Sequence, residues 1–185
     1  MSVCNNNRAI YEHNKLSENL RRLWMEHVLW TRAFLVSKIF NLGDLDAVTA
    51  RLLRNPTDMA NVLTPYYGSD AAKRFELLFR EHLLIAADLV EAAKEGDAAA
   101  VQEQRNKWYA NADAITDFLV SINPCWSKNV WQSMFYDHLK MTENEAVQLL
   151  KGQYEQSIVQ YDEIQKEALK MADYMTEGTI RQTKK

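Results

Sequence analysis

The sequence predicts an all-α protein: a four-helix bundle of the up-down kind with additional short helices in its connections. Three observations predict it. Apolar side chains recur at alternating three- and four-residue steps over long stretches, the spacing that lines one face of a helix. Glycine and proline are scarce, 5 and 3 among 185 residues, which leaves little turn chemistry for a β architecture. No run of alternating residues is long enough to make a strand. The length suits a single domain, 1–185, and is enough to bury a sizeable core.

Residues 1–15 read as a loose polar lead-in carrying a solvent-exposed His13. Ser17 is placed to cap the first long helix, with Glu18 in its first turn. That helix carries the seam Leu16, Leu20, Leu23, His27, Trp30, Phe34 and stops at Gly43. Residues 43–69 form a long connection with two short helical pieces. The first starts at Asp44 or Asp46, and the second at Asn55-Pro56, a cap followed by proline in the first turn. Thr64-Pro65 ends it, and Ser69 or Asp70 caps the second long helix, about 70–95. Lys94-Glu95-Gly96-Asp97 is the clearest punctuation: glycine past one helix end, aspartate capping the next. So short a link forces an antiparallel hairpin. The third long helix, about 98–121, carries Trp108, Ala112, Ile115 and Leu119, with Asn111 beside them, and ends at Asn123-Pro124. A shorter helix follows with Trp131, Phe135 and His138. Thr142 and Glu145 have capping-box spacing and start a last helix, about 143–176, with Gly152 as its weak point. Its expected seam is Val147, Leu150, Tyr154, Ile158, Tyr161, Gln165 or Ile164, Ala168 and Met171 or Ala172. Residues 177–185 read as a disordered basic tail.

Charge and composition narrow the function classes. A net charge of −3 gives no basic footprint for nucleic acid. No apolar run approaches the ~20 residues of a bilayer span. The opening MSVCNNNRAIYEHNK lacks the apolar segment of a secretory signal. Cys4 and Cys125 form no C-x-x-C motif, so the expected setting is the reducing cytoplasm.

Histidine carries the functional signal. Three of the four histidines stand where the helical pattern calls for leucine: His27, His82 in the run Phe75-Leu78-His82-Ile85-Leu89, and His138 after Trp131 and Phe135. Each follows an acid: Glu26, Glu81 and Asp137. At ~1.5 Å rise per residue, His27 and His82 differ in height by only about 3–5 Å, whether their helices run parallel or antiparallel. Asn111 falls near the same level on the third helix, and Tyr154, Glu155 and Ile158 on the last. Neutral imidazole binds Zn, Fe, Mn or Cu, and an adjacent acid supplies a further ligand or orients the ring. The expected metal site is therefore His27, His82 and His138 with Glu26, Glu81 or Asp137, holding Fe, Mn or Zn. In the competing reading each histidine is a core residue bonded to a Tyr, Asn or acid nearby. The acids lie about 100° around the helix from their histidines. The di-iron signature Glu-x-x-His is absent, because Trp24, Phe79 and Phe135 hold the glutamate positions.

Other motifs have simpler readings. The five tryptophans serve the core; Arg21, Arg22, Arg51 and Arg54 are solvated surface or an anion grip; Glu155 and Asp162 give solubility or a carboxylate pair.

The segments EHVLWTR, RLLRNPTDM, EHLLIAADLVEAAKEGD, KWYANADAI and QYDEIQKEALKMADYM together resemble a group of small uncharacterised bacterial helical proteins. Members of that group sometimes carry the label acetylglutamate kinase. An amino-acid kinase needs an α/β sheet and glycine-rich phosphate loops, and this sequence has no G-x-G arrangement. In architecture the chain is also similar to ferritin-like and hemerythrin-like bundles, some of which hold metal. The expected function is a metal-binding bundle. The alternatives are a non-catalytic interaction or small-ligand-binding bundle with structural histidines, dimerising through its last helix, or an oxygen-activating or hydrolytic enzyme.

Overall fold

The computed structural model describes residues 3–183, with side chains from Ile10 onward. Six helices follow in order: α1 (Val3–Ile39), α2 (Leu45–Leu52), α3 (Asn55–Glu95), α4 (Ala98–Ile122), α5 (Lys128–Leu150) and α6 (Tyr154–Thr183). Among the described residues there is no strand, so the all-α class holds. No helix among them is long and apolar enough to cross a membrane.

Two glycines set the hairpins. Gly96 and Gly152 both take the left-handed conformation, with φ of 76° and 70°. Each ends a helix in the same way. Gly96 N–H donates to Ala93 O and Asp97 N–H to Ala92 O, at 3.3 and 3.0 Å. Gly152 N–H donates to Leu149 O and Gln153 N–H to Gln148 O, at 3.1 and 2.8 Å. These bonds satisfy carbonyls that a helix end leaves without partners, in a geometry that suits glycine. Asp97 then caps α4 by accepting from Ala99 N and Ala100 N. A third glycine, Gly68 (φ 81°, ψ 166°), kinks α3. The kink falls just past Pro65, which stays inside the helix where a stop was expected.

The helices close into a ring. α3 packs on α1 and α4, α5 on α4 and α6, and α6 on α1, while α2 lies on α1. Side-chain ties give the directions. Arg21 meets Asp173 and Arg32 reaches Ser157, so α6 runs antiparallel to α1. Arg105 meets Glu143, and Tyr136 and Gln132 reach back to Asp113, so α5 runs antiparallel to α4. Asn55 Nδ2 donates to Leu23 O near the middle of α1; beyond the kink, Phe79 packs on Trp24 at 5.9 Å and Lys94 Nζ donates to Lys38 O near the end of α1. The C-terminal part of α3 therefore runs parallel to α1. α2 and the first part of α3 carry the chain back to make this possible. Simple up-down alternation fails at that step.

Several expectations are corrected. α1 starts at Val3, so Ser17 lies inside a helix instead of capping one. The early turns of α1 pack along α6, and His13 Nε2 meets Glu177 Oε1 at 3.1 Å. Thr142 and Glu145 form no capping box, because α5 runs straight through them. Thr142 Oγ1 donates back to His138 O at 2.9 Å, and Glu145 turns to Arg32. The last helix breaks at Gly152 and restarts in a new phase. Tyr154 and Ile158 consequently face solvent, while Ser157, Ile164, Ala168, Met171 and Met175 are buried. The expected disordered tail continues α6 to Thr183, with Gly178 and Thr179 buried, and Lys184 and Lys185 lie outside the described residues. Gly178 is what allows this. A Cβ there would stand 1.8 Å from Trp126 Nε1, so only glycine lets the indole lie against α6.

Candidate functional site

The three predicted histidines are buried in one layer, with His27 beside His138 and Phe79 between His27 and His82. His27 on α1, His82 on α3 and His138 on α5 are each 1–3% exposed. Their helical seams turn them inward, as Leu23, Leu78 and Phe135 on the same seams are turned. The His27 and His138 rings lie 5.5 Å apart, centroid to centroid. Phe79 packs against both His27 and His82, at 5.0 and 6.0 Å. Trp24 stands edge-on to His27 at 5.8 Å, and Trp108 lies 5.3 Å from His82. The result is one layer of imidazoles set among large aromatic rings.

His82 is held by α4. Asn111, also buried, places Oδ1 3.0 Å from His82 Nδ1. Asn111 Nδ2 donates to Leu78 O and to Glu81 Oε2, both at 3.2 Å, which fixes the amide orientation. The facing atom is thus a carbonyl oxygen, and His82 Nδ1 must carry the proton. Its Nε2 then holds a lone pair. A protein that binds metal through imidazole orients the ring in this way.

His27 and His138 have no such support. Their Nδ1 atoms are buried without a hydrogen-bond partner, as are the indole nitrogens of Trp24 and Trp108. Each such atom costs ~1–3 kcal/mol of desolvation that nothing in the fold returns. Burial keeps all three rings neutral. It holds His27 well below the usual imidazole range, with neighbouring His138 and His82 adding to the effect. Burial together with His138 lowers His82 to about 3, against the opposing bond from Asn111. Burial alone lowers His138 to about 4.

The three acids stay outside the layer, because position i−1 on a helix points away from position i. Glu26 is occupied by Arg22 and Arg51, at 2.6 and 2.8 Å. Glu81 faces solvent and touches the site only through Asn111. Asp137 is exposed. Among the described residues, no three His, Cys, Asp or Glu side chains converge in a group ready to hold a metal ion. Tyr154 and Ile158, expected at this level, lie on the surface. The arginines that an anion grip would need are paired: Arg21 with Asp173, Arg22 and Arg51 with Glu26, Arg54 with Asp58. Glu155 and Asp162 are solvated.

A second buried polar cluster was not foreseen. Glu145, 2% exposed at its side chain, pairs with Arg32. Arg32 also donates to Ser157 O at 3.3 Å and stacks over Tyr161, 5.1 Å from the ring centre. Burial raises the Glu145 carboxyl to about 7, against the pull of Arg32. The only sequence signal was Glu145 itself, on the inward face of α5, and its spacing from Thr142 pointed instead to a cap.

No family model matches the chain, and neither does any curated protein or solved structure. Its function is therefore read from its own geometry.

Proposed function

We propose that this protein binds a transition metal ion, Fe, Mn or Zn, in the histidine layer. His27 and His138 are the primary donors, and His82 contributes through Nε2. One observation carries the reading: neighbouring neutral imidazoles from two helices each keep a buried ring nitrogen without a partner. Neutral imidazole is the form that binds such ions, and a ligand would relieve the cost of both orphaned atoms. α1, α3, α4 and α5, which surround the layer, act as a four-helix unit in the manner of ferritin-like or hemerythrin-like bundles, with α6 as a fifth. A bound ion would supply Lewis-acid or redox chemistry. The chain's own part is to orient His82 through Asn111 and to keep the rings neutral in a dry aromatic setting. Glu26, Glu81 and Asp137 take no place as direct ligands in this reading.

A second reading is a non-catalytic bundle with structural histidines. It is supported by the His82 Nδ1–Asn111 hydrogen bond and by the absence of a ready three-donor group among the described residues. Elemental analysis separates the two. Tag-free protein, incubated with Fe²⁺, Mn²⁺ or Zn²⁺ and dialysed, is expected to retain about one ion per chain, in line with single-ion histidine sites. His27→Leu and His138→Leu should each lose it while keeping the helical circular dichroism. No retained ion, or retention that survives both substitutions, sinks the metal reading.

A further inference from the structure

The histidine layer has a neighbour that the metal reading does not use. A cavity of about 100 Å³ lies between α1, α2, α3, α4 and α5. Phe34, Leu35, Leu83, Leu89, Val90 and Trp108 form much of its wall. Its two ionisable wall residues, Arg105 and Glu143, neutralise each other. Arg105 Nε lies 3.0 and 3.1 Å from the two Glu143 oxygens, and a third bond from Nη2 completes the clamp. The pair is partly exposed, 34% and 21%, so it stands where the cavity approaches solvent and joins α4 to α5 there. The Thr142 hydroxyl, also in the wall, is already committed to His138 O. The space therefore offers mostly hydrocarbon and aromatic surface and no charge awaiting a partner; the Thr31 hydroxyl and the Trp108 indole N–H are its unpartnered polar atoms.

We infer that this cavity is a binding site for a small apolar molecule, held against Trp108 behind His82. The chemistry of the wall selects the class. A charged guest would lose its hydration and meet no free counter-charge, and a polar one could offset that loss only through a single bond to Thr31 or Trp108. The volume selects the size. Apolar cavities of ~150 Å³ stay dry and take up benzene or xenon, so this one accepts a guest of at most about six heavy atoms. The place in the fold gives the guest a consequence. Trp108 lines the cavity and also lies 5.3 Å from the His82 ring, so occupancy presses on the ring that Asn111 orients. The inference does not depend on the metal reading, since the cavity wall contains none of the three histidines.

The test uses metal-free full-length protein with xenon and benzene as probes. Methyl NMR is expected to show saturable shifts at Leu83, Leu89 and Val90, and none at the exposed Leu77 on the same helix. Ala146→Leu and Ala86→Leu each extend a wall side chain into the space. Each is expected to weaken benzene binding at least about tenfold, equivalent to 1.4 kcal/mol. Two variants on different helices guard against one that fails to fold. Shifts that never saturate in the wild-type protein, or saturable binding unchanged in either folded variant, would overturn the inference. Because the measurement is made on metal-free protein, either result leaves the metal test to be judged separately.

Discussion

Two aromatic clusters of similar make-up sit at different places along the bundle, and they differ in how many of their polar atoms are partnered: around Trp126 most are, the indole nitrogen of Trp131 excepted. Around Trp126, where α4 gives way to α5, polar groups are handed from one partner to the next. Asn123 Nδ2 donates to Tyr67 OH at 2.8 Å, and Thr179 Oγ1 donates to Met175 O. Tyr67 must then donate its own proton to Thr179, at 2.9 Å. Cys125 N–H donates to Asn123 Oδ1, Trp126 Nε1 to Tyr174 O, and Ser127 N–H to Tyr174 OH. In the histidine layer, by contrast, His27, His138, Trp24 and Trp108 each bury a nitrogen with no partner. Folding alone explains the first cluster, which locks the kink of α3 to the ends of α4 and α6. It does not explain the second, since apolar side chains would pack there at lower cost. Unpartnered buried atoms occur elsewhere too, Trp131 Nε1 and Thr116 Oγ1 among them, but the histidine layer gathers four of them in neighbouring rings, and that is where we propose the function lies.

The comparison is broken most sharply by pH. Each histidine of the layer is neutral in the fold and has a lowered pKa. Its contribution to stability is present above the unfolded value near 6.5 and is lost as pH falls toward about 4. The expected slope is up to about 1.4 kcal/mol per pH unit for each histidine. Glu145 acts with the opposite sign. Its raised carboxyl contributes stability at low pH that is lost as pH rises from about 4.5 to about 7. Three imidazoles outweigh one carboxyl, so denaturant midpoints should fall steeply on acidification from pH 7 to 4.5. A flat profile across that window would mean the layer admits water or protons freely.

The Trp126 cluster is probed by glycine. Gly178→Ala must push the indole away from α6 and break its bond to Tyr174 O. The gain in helix propensity, ~1 kcal/mol, is smaller than the combined cost of overpacking and the lost bond. The expected net loss is roughly 2 kcal/mol, or about 4–8 °C in melting temperature for a chain of this size. Gly43→Ala is the control, as nothing lies within 4 Å of its Cβ position. Equal melting temperatures for the two variants would show that the cluster is not a lock.

The smallest expected effect is the most telling about the layer. In metal-free protein, His27→Leu or His138→Leu should leave stability at neutral pH within about 1 kcal/mol of wild type, or raise it, because an orphaned polar atom is removed. A loss above ~3 kcal/mol in thermal or denaturant melts would mean that those nitrogens already have partners, and the contrast between the clusters would disappear.

The glycines show how far local reading reaches. Gly96 and Gly152 end their helices through the same pair of hydrogen bonds. Gly96 was legible because Asp97 follows it with an unmistakable start signal. Gly152 was not, because Thr142 and Glu145 imitate a helix start about eleven residues ahead of Tyr154, where α6 begins. The phase of α6 was lost with it, and Tyr154 and Ile158 were turned the wrong way. At the site, the inward seams of His27, His82 and His138 and the level of Asn111 could be read from residue spacing. The roles of Phe79 between rings, of Arg32 on Glu145, and of the Arg105–Glu143 clamp could not.

The sequence by itself determined that this chain is helical, which face of most helices is buried, and that three imidazoles occupy buried faces. Those properties follow from spacing along one helix, and spacing is local. Only the tertiary structure decided that α1 and the end of α3 run parallel, that Asn111 fixes the His82 tautomer, and that His27 and His138 face each other without partners. Those properties depend on groups brought together from distant parts of the chain, where packing rather than periodicity selects the neighbour.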